Sequence, residues 1–367
     1  MPSRNPSSHP VNMIAVARLA GVSTATVGRV VHQRGYVSAA ARQRVEQAIQ
    51  QTGFRLNLVA QSLRCQRSKT LGHLINSLIP NPFFAGVEAG VEEAASEKGY
   101  NVLLWNFMAD PQRERAGVEA FIRRQIDAII FTTPYDIHNV QLARQAGIEI
   151  VQVERPTALA SHCVLVDNYV GAVAAMRHLI DLGHRRVGFI GNSFPDGSTF
   201  PAGNICPAES ASQKALNVDH QRYQGYLDEL ALHGIPPEPA WVRLNVDPYS
   251  LADGEHAALA LLQLQPAVTA ILLSCDILAA GALQAIYRLG LRVPEDVSLV
   301  GFDNTYAPFL TPPLTTVEIP MIEVGKAAAR LAIRALEAEP APGAPCIYQQ
   351  ETISTRLVVR QSSGPAR

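Results

Sequence analysis

Residues 13–30, MIAVARLAGVSTATVGRV, constrain this chain more than any other stretch. Apolar side chains at Ile14, Val16, Ala17 and Ala20 recur at helical spacing, and Gly21 then breaks the pattern. Glycine tolerates the left-handed conformation that closes a helix, and Ser23 offers an oxygen to cap the next one. Val27 and Val30 fall on the face of that second helix that turns back onto the first. Small Ala17 permits a close crossing, so the pattern predicts a helix-turn-helix unit. Taken alone it would also fit an ordinary helical hairpin inside a larger core.

Its surroundings narrow the choice. Ser38 is placed to cap a third helix carrying Ala41, Val45, Ala48 and Ile49, with Gly53 beyond its end. Residues 1–69 hold ten Lys or Arg and one acid, Glu46, for +9, whereas the remainder holds 21 bases and 31 acids, for −10. The total of −1 therefore hides a basic head suited to a polyanion and an acidic body that is not. Residues 1–10 read as a loose tail, and 54–69, FRLNLVAQSLRCQRSK, as a basic linker able to order only against a partner.

From Thr70 the texture changes. Short apolar runs (LGHLI, YNVLLW, DAIIF, IEIVQV, RVGFI, WVRLNV, TAILL, VSLVGF) alternate with helical segments, and Asp110 with Pro111 marks one helix start. Alternation of this kind predicts parallel sheets covered on both faces. Two such sheets imply a cleft between lobes at the carboxyl ends of the strands. Residues 192–218 lack periodicity and read as a long loop, and PAPGAP at 340–345 as a turn before closing strands around Tyr348 and Leu357. The fold class expected is multidomain: an all-α head with a two-lobed α/β body. No apolar run reaches about 18 residues, the N-terminus has no secretory pattern, and a cytoplasmic location is expected. The five cysteines (Cys65, Cys163, Cys206, Cys275, Cys346) are scattered without metal-ligand spacing, so no cofactor or metal is expected. Asp167 and His184 are read as helix and turn caps, and no nucleophile triad or phosphate loop is visible, which argues against an enzyme.

The motifs VARLAGVSTATVGRV, VSAAARQRVEQAI, NLVAQSLR, NPFFAGVEAGVEEAA, GYNVLL, HLIDLGHRRVGFI, RYQGY, VPEDVSLVGFDN and TPPLTTVEIP occur in this order. Together they make residues 11–362 resemble the LacI/GalR family of transcriptional regulators. The resemblance implies a head over 11–56 and a hinge over 57–69. It also implies a body like the periplasmic sugar-binding proteins over 70–362, with an N-lobe at about 70–167 and 321–347 and a C-lobe at about 168–318 and 348–360. It further implies a homodimer on a palindromic operator in double-stranded DNA, usually as a repressor, controlled by a carbohydrate or related metabolite in the cleft. An activator, a regulator that requires its ligand to bind DNA, and an effector-independent DNA-binding protein are the alternatives.

Carried over by resemblance, Thr24, Ala25 and Arg29 face base edges, Arg29 as a bidentate partner for guanine. Ser23, Thr26, Ser38 and Asn57 touch the sugar-phosphate backbone, and Leu63 wedges into the minor groove. Phe84, Arg222, Tyr249, Asp276 and Asp303 line the effector cleft. Departures from the family pattern are Gly28 for a serine, Ala15 for an aspartate and Leu56 for a proline in the DNA-binding part. In the cleft, Leu78 and Ile319 stand at positions that are often polar, and Cys275 replaces an asparagine. These departures predict a weaker or altered sequence preference, and either a ligand less hydroxylated than a simple hexose or no ligand at all.

Overall fold

The computed structural model describes residues 12–31, 34–54, 67–79, 81–192, 218–244, 246–338 and 347–367. Asn57, Leu63 and Leu56, the tail, most of the loop at 192–218 and the turn at 340–345 lie outside the described residues. The chain divides into two units, Met1–Ser68 and Lys69–Arg367.

In the head, α1 (Met13–Ala20), α2 (Thr24–Val31) and α3 (Ala39–Thr52) surround one small core of Val16, Ala17, Ala20, Val27, Val30, Val45 and Ala48. Asn12 caps α1 by accepting from Ala15 N at 3.0 Å, and Gly21 closes it at φ +62°. Any residue with a Cβ would be strained there. The axes of α1 and α2 turn through 105°, within the range of a helix-turn-helix. Ile14 departs from the expected inward face and is 59% exposed, because Val16, Ala17 and Ala20 already fill the contact with α2 and α3.

The body contains two sheets built to one plan. Strands β1 (Thr70–Ile75), β2 (Asn101–Asn106), β3 (Ala128–Thr132), β4 (Glu149–Val153), β5 (His162–Val166) and β11 (Gln350–Ile353) lie in the order β2-β1-β3-β4-β5-β11. Strands β6 (Val187–Ile190), β7 (Val242–Arg243), β8 (Ala270–Leu273), β9 (Ser298–Asp303), β10 (Thr315–Glu318) and β12 (Arg356–Val358) lie as β7-β6-β8-β9-β10-β12. All pairings are parallel except β10 with β12. That exception arises because β12 follows β11 after a two-residue link and so returns through the other lobe.

The expected lobe boundary at 348 therefore needs correction: β11 completes the first sheet and only β12 joins the second. The expected strand WVRLNV shrinks to Val242–Arg243, preceded by a turn of 3₁₀-helix at Pro239–Trp241. Each sheet buries its central strands fully, as in β3 and β9, which is why they read as unbroken apolar runs.

Helices cover the faces. In the N-lobe, α4 (Phe83–Glu97) and α11 (Met321–Glu337) cross backbone to backbone. A Cβ on Gly325 would lie 2.0 Å from Val87 O, and one on Gly90 2.0 Å from Ile322 O, so only glycine fits at either point. Asp110 caps α5 (Pro111–Arg123) as expected, accepting from Gln112 N at 2.8 Å. Asp167 caps α7 (Asn168–Asp181), accepting from Val170 N at 3.1 Å.

His184 caps the end of α7 as expected, its backbone N–H donating to Leu179 O at 3.1 Å, and its side chain is bonded as well. It is 2% exposed, with Nδ1 at 2.9 Å from Thr269 Oγ1 and Nε2 at 3.0 Å from Gly364 O and 3.1 Å from Ser298 Oγ. With Ser362 Oγ donating to Leu299 O, it ties the last residues of the chain to the C-lobe.

Candidate DNA-contact surface and inter-lobe cleft

Helix α2 buries Val27 and Val30 and turns Thr24, Ala25 and Arg29 outward. The reason is the helical period: residues that do not share the valine face must point to solvent. Ser23 Oγ accepts from Thr26 N at 3.2 Å and lies 3.0 Å from Thr26 Oγ1. Ser38 Oγ accepts from Ala41 N at 3.4 Å. A hydroxyl that caps a helix in this way can still donate to a phosphate oxygen, so capping and phosphate contact are compatible uses of one side chain. No carboxylate among the described residues pairs with Arg29.

In the body, the carboxyl ends of both sheets face one cleft. Asn81, Phe84, Thr133, Glu154 and Arg155 come from the N-lobe, and Asp219, Arg222, Tyr249, Ser274, Cys275 and Asp303 from the C-lobe. Arg222, on α8 (Val218–Leu232), is the hub. Its Nε donates to Asn168 Oδ1 at 2.8 Å, Nη1 to the Ser274 carbonyl, and Nη2 lies 3.5 Å from Asp303 Oδ1. The guanidinium also sits 4.1 Å over the Phe302 ring. Burial raises the Asp303 carboxyl above the usual carboxylate range, against the pull of Arg222.

Polar contacts among the described residues cross between lobes. Arg155 Nη2 donates to Asp219 Oδ2 at 2.8 Å, and Asn81 Nδ2 donates to Asp303 Oδ2 at 3.4 Å. Phe84 and Tyr249 face each other across the same gap with ring centroids 6.4 Å apart. The cavity left between them is about 50 Å³. At about 10–15 Å³ for each water, that admits a few waters, and a larger guest requires the lobes or side chains to move.

Three buried oxygens at this cleft, Thr133 Oγ1, Glu154 Oε1 and Ser274 Oγ, have no partner among the described residues. Buried polar groups are costly unless bonded, and the waters that this cavity admits, or a guest that displaces them, would supply the missing partners.

Of the five expected cleft residues, the structure brings Phe84, Arg222, Tyr249 and Asp303 together, and Asp276 stands apart. The Asp276 carboxylate is fully buried and accepts from the backbone N–H groups of Thr305, Tyr306 and Ala307 and from Thr316 Oγ1. It shapes the loop after Asp303 instead of facing the cavity. Ile319 and Cys275 do line the cleft, whereas Leu78 does not. Glu154, Arg155, Asp219, Thr133 and Ser274 were not expected. The signal for Glu154 and Arg155 was their place directly after the strand IVQV, where an α/β sheet presents ligand groups.

Residues 12–57 match the lacI family of bacterial regulatory proteins, and 176–363 match a periplasmic binding protein-like domain. The ribose operon repressor of Halalkalibacterium halodurans is 33% identical over 352 residues, covering 95% of this chain and 96% of that protein. The structure of the transcriptional regulator CelR in complex with cellobiose superposes with a TM-score of 0.67 at 27% identity, covering 96% of this chain and 99% of the other. The lac repressor dimer bound to operator and an anti-inducer gives 0.78 at 23% identity over 97% and 100%, a likeness of fold. The basic three-helix head, the two-lobed body and the relatives agree, and the chain belongs to the LacI family of bacterial regulatory proteins.

Proposed function

We propose that this protein is a cytoplasmic, dimeric repressor that binds a palindromic operator and is controlled by a small carbohydrate or related metabolite in the inter-lobe cleft. The observation that carries the effector half of this reading is the set of three unpartnered oxygens on Thr133, Glu154 and Ser274 around one cavity. Phe84, Arg222, Tyr249 and Asp303 supply stacking faces and hydrogen bonds for the guest. Thr24, Ala25 and Arg29 read base edges, while Ser23, Thr26, Ser38 and Asn57 fix register on the backbone and Leu63 wedges the minor groove. The names of the ribose and cellobiose relatives support a sugar-like effector.

The mechanism follows from the contacts that span the cleft. A guest that meets the three oxygens and exceeds the cavity displaces side chains or changes the spacing at Arg155–Asp219 and Asn81–Asp303, and the second course changes the angle between the lobes. A change in operator affinity can only equal the guest's preference for one lobe arrangement over the other.

The test is selection of bound duplexes from a random pool by the full chain, followed by gel-shift titration. A palindromic motif is expected, with a steep loss of affinity with salt. Arg29→Ala should weaken the selected site by about 1–3 kcal/mol, roughly 5- to 150-fold. Retained affinity would remove Arg29 from the readout, and a pool with no enriched motif would refute sequence-specific binding.

A further inference from the structure

The charges in the cleft do not cancel. Glu154, Asp219 and Asp303 face two cations, Arg155 and Arg222, among the described lining residues. Both guanidiniums are committed: Arg155 to Asp219 at 2.8 Å, and Arg222 to Asn168, the Ser274 carbonyl and Asp303. Glu154 is the acid left over. It is 4% exposed, its Oε1 has no partner, and its backbone is held at φ +69°, directing it from the end of β4. An anionic guest would need a cation that is not already paired, and would meet a buried acid with an unpartnered oxygen instead. A guest with an O–H or N–H donor would meet the acceptor it needs.

Resting on the cleft being the effector site, we propose that Glu154 determines the ligand class: uncharged or amine-bearing molecules that donate a hydrogen bond to it bind, and anionic sugar derivatives are turned away. Burial pushes Glu154 up to about 7, against the pull of Arg222 and Arg155, while Asp303 and Asp219 reinforce the rise. Tyr249 and Cys275 complete the wall; burial pushes both groups up, so that they face the cavity uncharged. A donor guest is best accepted by the ionised carboxylate, so affinity for an amine should rise as pH increases through about 7. An O–H donor gains in the same direction but less, because it carries no charge.

The experiment is calorimetric titration of the full chain and of Glu154→Gln at pH 6 and pH 8. The probes are ribose, cellobiose and cytidine as uncharged molecules, N-methylglucamine as an amine that stays protonated at both pH values, and glucuronate and ribose 5-phosphate as the anions. A circular-dichroism melt confirms that the variant is folded. For the wild type, at least one uncharged or amine probe is expected to bind at least tenfold more tightly than either anion at pH 8. Glu154→Gln should reduce that preference at least threefold and flatten the pH dependence. Equal or tighter binding of an anion by the wild type, or an unchanged preference in Glu154→Gln, overturns the role of Glu154 and leaves the cleft reading intact. Binding of no probe, anions included, overturns both.

Discussion

Replacing Arg222 by methionine isolates the interaction at the centre of the cleft. The substitution keeps much of the stem packed while removing the donors to Asn168 Oδ1 and the Ser274 carbonyl and the charge 3.5 Å from Asp303. What remains is a 4% exposed carboxylate whose described partner is Asn81 Nδ2 at 3.4 Å. Removing one member of a buried ion pair typically costs about 3–5 kcal/mol, mostly as the penalty of the stranded charge. With an unfolding entropy of about 2 cal/mol/K per residue over Lys69–Arg367, the body should lose roughly 5–8 °C in melting temperature.

Differential scanning fluorimetry on the wild type, Arg222→Met, Asp303→Asn and the double variant tests this. The double variant should be more stable than Arg222→Met alone, because it removes the unpaired charge. Since Asp303 already holds its proton more tightly than an ordinary carboxylate, acid should protonate it and shrink the penalty, making the loss larger at pH 8 than at pH 5. A loss below about 1 kcal/mol, or a further additive drop on combining the two substitutions, would refute the argument that this pair holds the site together.

Two further outcomes concern the head and the C-lobe. Gly28 sits inside α2 with open space where a Cβ would go, so Gly28→Ala should raise the stability of the head by about 0.8–1 kcal/mol through helix propensity, read as a later loss of helical signal in urea; a decrease would show that glycine is needed there for another reason. Burial lowers the pKa of His184 below its ordinary 6.5 despite its bond to Gly364 O, so the unfolded chain takes up the proton first and stability should fall as pH drops through 6.5. Melts from pH 7.5 to 5.5 should be less pH-dependent for His184→Gln, and an identical slope would assign the acid loss to other groups.

Much of the cleft escapes a reading by local pattern. Arg222 and Asp303 were legible because each lies within a motif that the family shares, RYQGY and VSLVGFDN. Asp276 lies just before a motif-rich region and reads as equally suited to a ligand. Whether a carboxylate faces a cavity or a turn of backbone N–H groups depends on where residues 305–307 fold back, about thirty positions later. Glu154 carries the opposite lesson: a lone acid after a strand is ordinary in sequence, and that its Oε1 has no partner among the described residues is visible only when the arginines around it are seen bonded elsewhere.

What the sequence determined by itself was whatever depends on neighbours within a few positions. Helix caps at Ser38, Asp110 and Asp167, the break at Gly21, the buried runs of the central strands and the basic character of residues 1–69 all follow from spacing and composition. Tertiary structure alone decided that β11 and β12 part into different sheets, that α4 and α11 meet at Gly90 and Gly325, and that His184 anchors the end of the chain. It also decided which charges in the cleft are neutralised. The contact between Asn81 and Asp303 spans 222 positions, and the energy of a buried charge is set by partners brought together at that distance, which no local pattern records.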